Sequence, residues 1–362
     1  MVVKIFCDYH HGGLARSMFY LFGDRLGHHI RYADPSFAHA VDLTGQFFVG
    51  LDEKKWLSAM GGISRESWKK YGGTVSQEEF MDTDWDVFLF TRPETQQMIW
   101  NLGHRCNEKV IAIGQAGNEN TVYDWGRVKH LITSDEDTWR LVPIGVETIL
   151  TGQELGRHFG KKFTPVTEEG FHTVNCFINN LRGQSQAYRW SANNWGPGCP
   201  HCESRIAPKE HMNLFDLWKE TSEPMNGYAF KVWGHTNEGL PGGKNLKDKD
   251  MPKHYEAGAL TWHVKGFDGW GHSMLQSIAC GRPVIVEKRF YRYRTAGSFL
   301  IPGVTCFYVD YNPTSCQAAI GHHTQDLDQV NHYAKRCWEA AKGLFDWKHE
   351  AWRVKRWMKE RL

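Results

Sequence analysis

The chain has 362 residues, 41% of them hydrophobic, with 43 Lys/Arg against 41 Asp/Glu and a net charge of +2. That length favours two domains of about 150–200 residues, and the near-neutral balance excludes a partner recognised through global polyanion attraction. No apolar leader and no run of about 18 apolar residues occurs, and the nine scattered cysteines are an odd number, so reduced thiols in a cytoplasmic protein are expected rather than secretion, membrane spanning or a disulfide framework.

In chain order, Val2 to Asp8 reads as a first strand, followed by a loop holding His10, His11, Gly12 and Gly13. Leu14 to Leu26 reads as a helix stopped by Gly27, and Ile30 to Tyr32 as a second strand. Strand, glycine turn, helix and strand make a Rossmann-like start, although the full Gly-x-Gly-x-x-Gly fingerprint of a dinucleotide site is missing. Val87–Phe90, Val110–Ile113 and His130–Thr133 are further strands, with a helix over Pro93–Gly103. Such short apolar runs separated by helical or glycine-rich stretches predict a parallel sheet covered on both faces. Pro143 to Val146 reads as the crossing to a second domain, with the boundary at about residue 165.

The second half restarts the pattern. Thr173–Ile178 and Ala229–Trp233 are strands, Asn213–Glu220 a helix, Lys244–Lys253 a charged surface loop, and Val304–Val309 a late strand. Residues 326–362 read as one or two helices. The sixteen tryptophans suit sugar rings or bases, but each is first expected in the core.

Trp262 to Val286 carries the most information. It reads as a strand end, a glycine-rich turn, one short helix and a second buried strand. Gly266, Gly269 and Gly271 suit a positive φ and close backbone approach to a ligand. Ser273 is expected to cap the helix, Met274, Leu275, Ile278 and Ala279 give it an apolar stripe, and Gly281 and Pro283 end it. A helix N-terminus at the carboxyl end of a strand is a ready anion site.

The order Asp268, Gly269-Trp270-Gly271, helix, Ala279-Cys280-Gly281, Pro283-Val284 resembles the donor-binding signature of GT-B glycosyltransferases. The resemblance implies an α/β chain of two Rossmann-like domains facing a cleft, with a C-terminal helical tail. Residues 1–165 would form an acceptor domain, 166–325 a nucleotide-sugar domain, and 326–362 helices packing back across both. It implies transfer of a sugar from a nucleotide-sugar to an acceptor hydroxyl, with no obligatory metal or other cofactor. Many retaining members carry two glutamates where this chain has Asp268 and Gln276. Asp268 would then bond sugar hydroxyls, and Gln276 the ribose hydroxyls without the strength of a carboxylate; a turn residue and an exposed helical residue are the plainer alternatives.

The leaving diphosphate calls for electrostatic stabilisation. The amides from Gly271 to Met274 are candidates, with Lys265, Arg182 and His272 as charged or polar partners. His10 or His11 suits a base taking the proton of an acceptor hydroxyl, with Asp8 orienting it or serving itself. Cys199 and Cys202 with His201 fall short of four zinc ligands and read first as a structural loop.

Two basic-aromatic clusters bear on partners. Lys288, Arg289, Arg292 and Arg294 interleave with aromatics and suit nucleic acid. Residues 335–362 hold nine Lys/Arg against four Asp/Glu and four tryptophans, and read first as a helix docked on the domains. The segments His10–Leu14, Arg25–His28, Asp268–His272 and Gly281–Ile285 are also similar to glycosyltransferase-like proteins of tailed phages, which makes a modified base in DNA a candidate acceptor. A sugar-nucleotide epimerase of the same fold, or a binding protein on a degenerate GT-B scaffold, are the rival readings.

Overall fold

The computed structural model describes residues 2–8, 12–34, 37, 62–90, 110–114, 128, 130–133, 144–177, 214–233, 246–264, 270–288 and 295–361. The chain divides into two compact units, residues 1–156 with 346–362, and residues 157–345.

Unit 1 is built on strands β1 (Lys4–Cys7), β2 (His29–Ala33), β3 (Thr74–Val75), β4 (Val87–Phe90), β5 (Val110–Gly114), β6 (His130–Thr133) and β7 (Glu147–Leu150), in the order β3-β2-β1-β4-β5-β6-β7. All six pairings are parallel. Alternation along β1 explains the layers. Ile5 and Cys7 face one core with Leu14, Met18, Ile30 and Leu89, whereas Phe6 packs among Phe37, Phe80, Trp85 and Phe88. Helix α1 (Gly12–Met18) passes into a π-helical turn, Phe19–Arg25, where Leu26 N–H reaches back to the Leu21 carbonyl at 3.1 Å. The wider turn ends at Gly27, whose φ of +75° suits glycine. Helices α2 (Arg65–Tyr71) and α3 (Gln77–Asp82) are capped by the hydroxyls of Ser64 and Ser76.

Unit 2 holds β8 (Thr173–Phe177), α4 (Leu214–Ser222), β9 (Ala229–Trp233), α5 (Met251–Glu256), β10 (Leu260–Trp262), α6 (His272–Ala279), β11 (Val284–Glu287), β12 (Cys306–Val309), α7 (Pro313–His323) and α8 (Leu327–Leu344). Its sheet runs β12-β11-β10-β8-β9, again all parallel. The last helix, α9 (Trp347–Arg361), returns to unit 1 and places Ala351, Val354 and Met358 in its core. The C-terminal helices are thus divided between the units. Among the described residues no helix is long and apolar enough to cross a membrane.

Several expectations change. The charged stretch Lys244–Lys253 is not wholly a loop, since Asp248–Asp250 forms a 3-10 turn and Met251 begins α5. Met251 and Tyr255 lie one turn apart and are both buried, which outweighs the charges around them. The crossing read at Pro143–Val146 is followed by one more strand of the first sheet, β7. The helix expected over Pro93–Gly103 lies outside the described residues.

The described cysteines are all buried and unbridged. Burial pushes the thiols of Cys280 and Cys306 up to about 12 and that of Cys316 to about 11, so they stay protonated and inert at neutral pH. Two histidines of unit 2 are affected in the opposite sense. His254 packs 4.1 Å from the ring of Trp233, and His323 lies 3.4 Å from that of Phe307. Burial first, then Lys231 for His254 and His322 for His323, lowers both to about 4. The unfolded imidazoles bind protons below about pH 6.5, where the folded ones do not. Stability is therefore full above that pH and falls as pH drops from about 6.5 towards 4. The urea midpoint of unit 2 should decrease between pH 7 and pH 5, and less so in His254→Gln; an unchanged slope in the variant would place the acid sensitivity elsewhere.

Candidate functional site

In a sheet ordered like that of unit 2, connections leave β8 and β10 towards opposite sides, and a crevice opens beyond their carboxyl ends. The chain leaving β10 runs through His263 and Val264, both fully buried, with His263 N–H donating to the Ile285 carbonyl at 2.8 Å. It re-enters the described region at buried Trp270 and turns at Gly271 (φ 76°, ψ 37°) into α6. A left-handed residue there demands glycine. The first intrahelical bond runs from Leu275 N–H to the Gly271 carbonyl at 3.0 Å. The amides of His272, Ser273 and Met274 precede it and have no carbonyl within the helix.

This corrects the expected cap. Gly271 is the cap, no side chain bonds there, and Ser273 is the second residue of the helix, buried at 5% exposure. His272, the first, is half-buried. Gln276 is 8% exposed, so it is not a solvated helical residue. The Tyr255 hydroxyl donates to the Ser273 carbonyl at 2.9 Å and lies 3.2 Å from Gln276 Oε1. With its carbonyl oxygen facing Tyr255, Gln276 has its two amide hydrogens left as donors, whereas a carboxylate would offer only acceptors.

The rear of α6 is held by buried polar contacts. The Ser277 hydroxyl bonds Thr261 Oγ1 at 2.7 Å and the Arg282 carbonyl at 2.8 Å. Gly281, at φ +73°, turns the chain where a Cβ would press on Trp338 Cβ at 2.8 Å and the Ala334 carbonyl at 2.9 Å. Arg282 is fully buried. Its Nε donates to the Gly258 carbonyl at 2.6 Å and its Nη2 to those of Glu256 and Thr164 at 2.7 and 2.9 Å. Nη1 reaches the carbonyls of Cys280 and Gly281 at 3.3 and 3.4 Å. Burial lowers its pKa, partly countered by Cys280 and Glu256. This arginine of the Gly-Arg-Pro motif is a structural tie.

Two residues at the strand ends escaped the sequence reading. Glu287 ends β11 and is 3% exposed, and His263 follows β10 on the neighbouring strand. A carboxylate terminating the apolar run Val284–Val286 was the available signal.

In unit 1 the strand order reverses between β1 and β4. Asp8 stands at that point, 1% exposed, with its N–H donating to the Leu89 carbonyl at 3.1 Å. Along the helix that follows, Ser17 Oγ lies 2.8 Å from the Glu154 carbonyl, and the Glu154 carboxylate accepts two bonds from Arg25 at 2.5 and 2.6 Å. Of the sequence candidates the structure thus locates Asp8, Gly271, His272, Ser273, Gln276 and Lys288, the last exposed after β11. His10, His11, Arg182, Lys265, Asp268, Gly269, Arg289, Arg292 and Arg294 lie outside the described residues, as do Cys199 and Cys202. Among the described residues no group of three or more His, Cys, Asp or Glu side chains is placed to hold a metal ion.

No protein-family model matches the chain, and no curated protein matches it in sequence. Solved structures do match. Sucrose-phosphate synthase from Thermosynechococcus elongatus is similar with a TM-score of 0.56 at 14% identity, over 99% of this chain and 98% of that one. Anabaena HepE, solved in complex with UDP-glucose, gives 0.57 at 10% identity over 99% and 100%. An alpha-glucosyltransferase of phage T4, solved with UDP-glucose and DNA containing an abasic site, gives 0.56 at 10% identity over 94% of each chain. The chain has the fold of the GT-B glycosyltransferases.

Two variants separate support from contact. Arg282→Met should lower the unfolding free energy by about 3 kcal/mol or more, because buried carbonyls lose their donors; a loss under 1 kcal/mol in urea denaturation would count against the tie. Tyr255→Phe should cost only about 1 kcal/mol of stability. If Gln276 meets a nucleotide, the same change should weaken nucleotide binding severalfold by calorimetry.

Proposed function

We propose that this chain transfers a sugar from a nucleoside-diphosphate sugar to an acceptor hydroxyl, with a uridine diphosphate sugar as donor and a modified base in DNA as acceptor. The observation that carries the reading is the left-handed Gly271 turn, which starts α6 at the carboxyl end of the unit 2 sheet, where its strand order reverses, so that the positive end of the helix dipole lies there. Breaking a glycosyl–phosphate bond builds negative charge on the diphosphate. Fixed amides at a helix N-terminus stabilise that charge without reorganising. The near-complete coverage of HepE and the phage alpha-glucosyltransferase, both solved with UDP-glucose, supports the donor class. The DNA in the latter supports the acceptor.

In this reading Gln276 donates to the ribose hydroxyls and Asp268 accepts from the sugar hydroxyls. Lys265, Arg182 and His272 add charge or hydrogen bonds at the diphosphate. His10 or His11 removes the acceptor proton, oriented by Asp8, and no step requires a metal ion.

Thermal unfolding with UDP, UDP-glucose, GDP and ADP tests the donor site. A ligand at 100 times its Kd adds about 2.7 kcal/mol to the folded state. A selective shift with the uridine ligands is expected, and no shift with any nucleotide would sink the reading. Asp268→Asn should reduce sugar transfer at least tenfold while changing UDP affinity less than twofold. Equal losses would make Asp268 structural, and turnover of UDP-glucose without any acceptor would point to epimerisation.

A further inference from the structure

Helix α9 has an inner face and an exposed outer face. Its inner face accounts for docking on unit 1. Ala351, Val354 and Met358 are in the core, and Trp357 meets the ring of His130 edge-on at 5.5 Å. Glu350 accepts from the Gly152 N–H at 2.9 Å, and Arg353 Nη2 donates to the Leu150 carbonyl at 3.3 Å.

The opposite side carries Lys348, Trp352, Lys355, Arg356 and Lys359, all exposed. Their spacing places them in one stripe along the helix. Trp352 is 55% exposed, whereas Trp68, Trp85, Trp218, Trp233, Trp262 and Trp270 are buried. Its ring stacks with His349 at 5.8 Å, and the Arg356 guanidinium lies 6.0 Å from its centre. Of the carboxylates of the helix, Glu350 is engaged by Gly152 and Arg353 on the inner side, and Glu360 pairs with Arg356 and Arg361. Among the described residues Lys348, Lys355 and Lys359 form no ion pair.

We propose that this face binds a strand of DNA, with phosphates on the three lysines and a base or deoxyribose face on the Trp352 indole, beside which Arg356 lies. The inference rests on DNA as the acceptor and assigns it a surface that the donor site does not provide. Lys348 and Lys359 lie about 16 Å apart along the helix axis. One strand of a duplex carries a charge every 3.4 Å or so, and an extended strand about half as densely, which still sets more than one phosphate against the stripe. An exposed indole flanked by cations is the arrangement that stacks bases without regard to sequence. An anionic membrane is the poorer fit, because the apolar stripe that would enter lipid faces the unit 1 core and leaves one indole outside.

The test is fluorescence anisotropy on the full chain with a labelled 20-nucleotide DNA, single-stranded and duplex, over a salt series. The chains compared are wild type, Trp352→Ala, the triple variant Lys348→Gln, Lys355→Gln, Lys359→Gln, and a control with Lys69→Gln and Lys70→Gln on the exposed side of α2. Trp352→Ala and the triple variant should each weaken binding roughly tenfold. The triple variant should also flatten the slope of log K against log salt by about 2 to 3. The control should stay within twofold, and all variants should keep the wild-type Tm, since every altered side chain is exposed. Wild-type affinity in both α9 variants would overturn the inference while leaving DNA as acceptor. Absence of DNA binding by the wild type would overturn both, and the uridine nucleotide shift reports on the donor reading independently. Binding to phosphatidylserine vesicles but not to DNA would overturn it in favour of a membrane surface.

Discussion

A guanidinium sealed from water must give its hydrogens to fixed acceptors, and around Arg282 those acceptors are main-chain carbonyls from three separate stretches of unit 2. Its five N–H groups have a rigid planar layout that a lysine does not match. Thr164, the end of α5 and the end of α6 are drawn to one point. The Arg282 carbonyl in turn accepts from Ser277, which ties the same residue into the body of α6. The N-terminal end of α6 is therefore positioned by its far end. A helix clamped at its C-terminal turn and backed by Tyr255 has little freedom to move its N-terminal amides.

Both units use the same physical device. A parallel sheet collects loops at the carboxyl ends of its strands, and a reversal of strand order keeps neighbouring loops from covering one another. In unit 2 that place receives an αL glycine and a helix start; in unit 1 it receives a buried carboxylate, Asp8. A helix start carries partial positive charge, whereas a buried carboxylate carries negative charge or a proton.

The parts legible in the sequence were those with local causes. Val87–Phe90 and His130–Thr133 are runs with all four residues buried in their sheet. Gly281 and Pro283 mark the end of α6 because the backbone at each position admits few alternatives. The partner of Gln276 was not legible, because Tyr255 lies 21 residues away in sequence. Ser273 misled for a subtler reason: hydroxyl caps are common, but the left-handed turn at Gly271 starts the helix earlier and leaves Ser273 inside its first turn. β7 was missed since Glu147-Thr148-Ile149-Leu150 has one side chain below a tenth exposed, as expected of an edge strand rather than a central one. In α9 the sequence showed one basic amphipathic helix, but only packing separates the side chains that dock from those that do not.

The return of α9 to unit 1 has a consequence in time. The core of that unit contains Val354 and Met358, so it is incomplete when residue 156 has been synthesised and stays so until the whole of unit 2 has followed. At roughly 5–20 residues per second, about 200 intervening residues take some 10–40 s. During that interval the apolar patch destined for α9 stays uncovered on the nascent chain. Unit 2, contiguous from 157 to 345, is the part whose residues are all available first. Unit 1 is thus begun first and completed last.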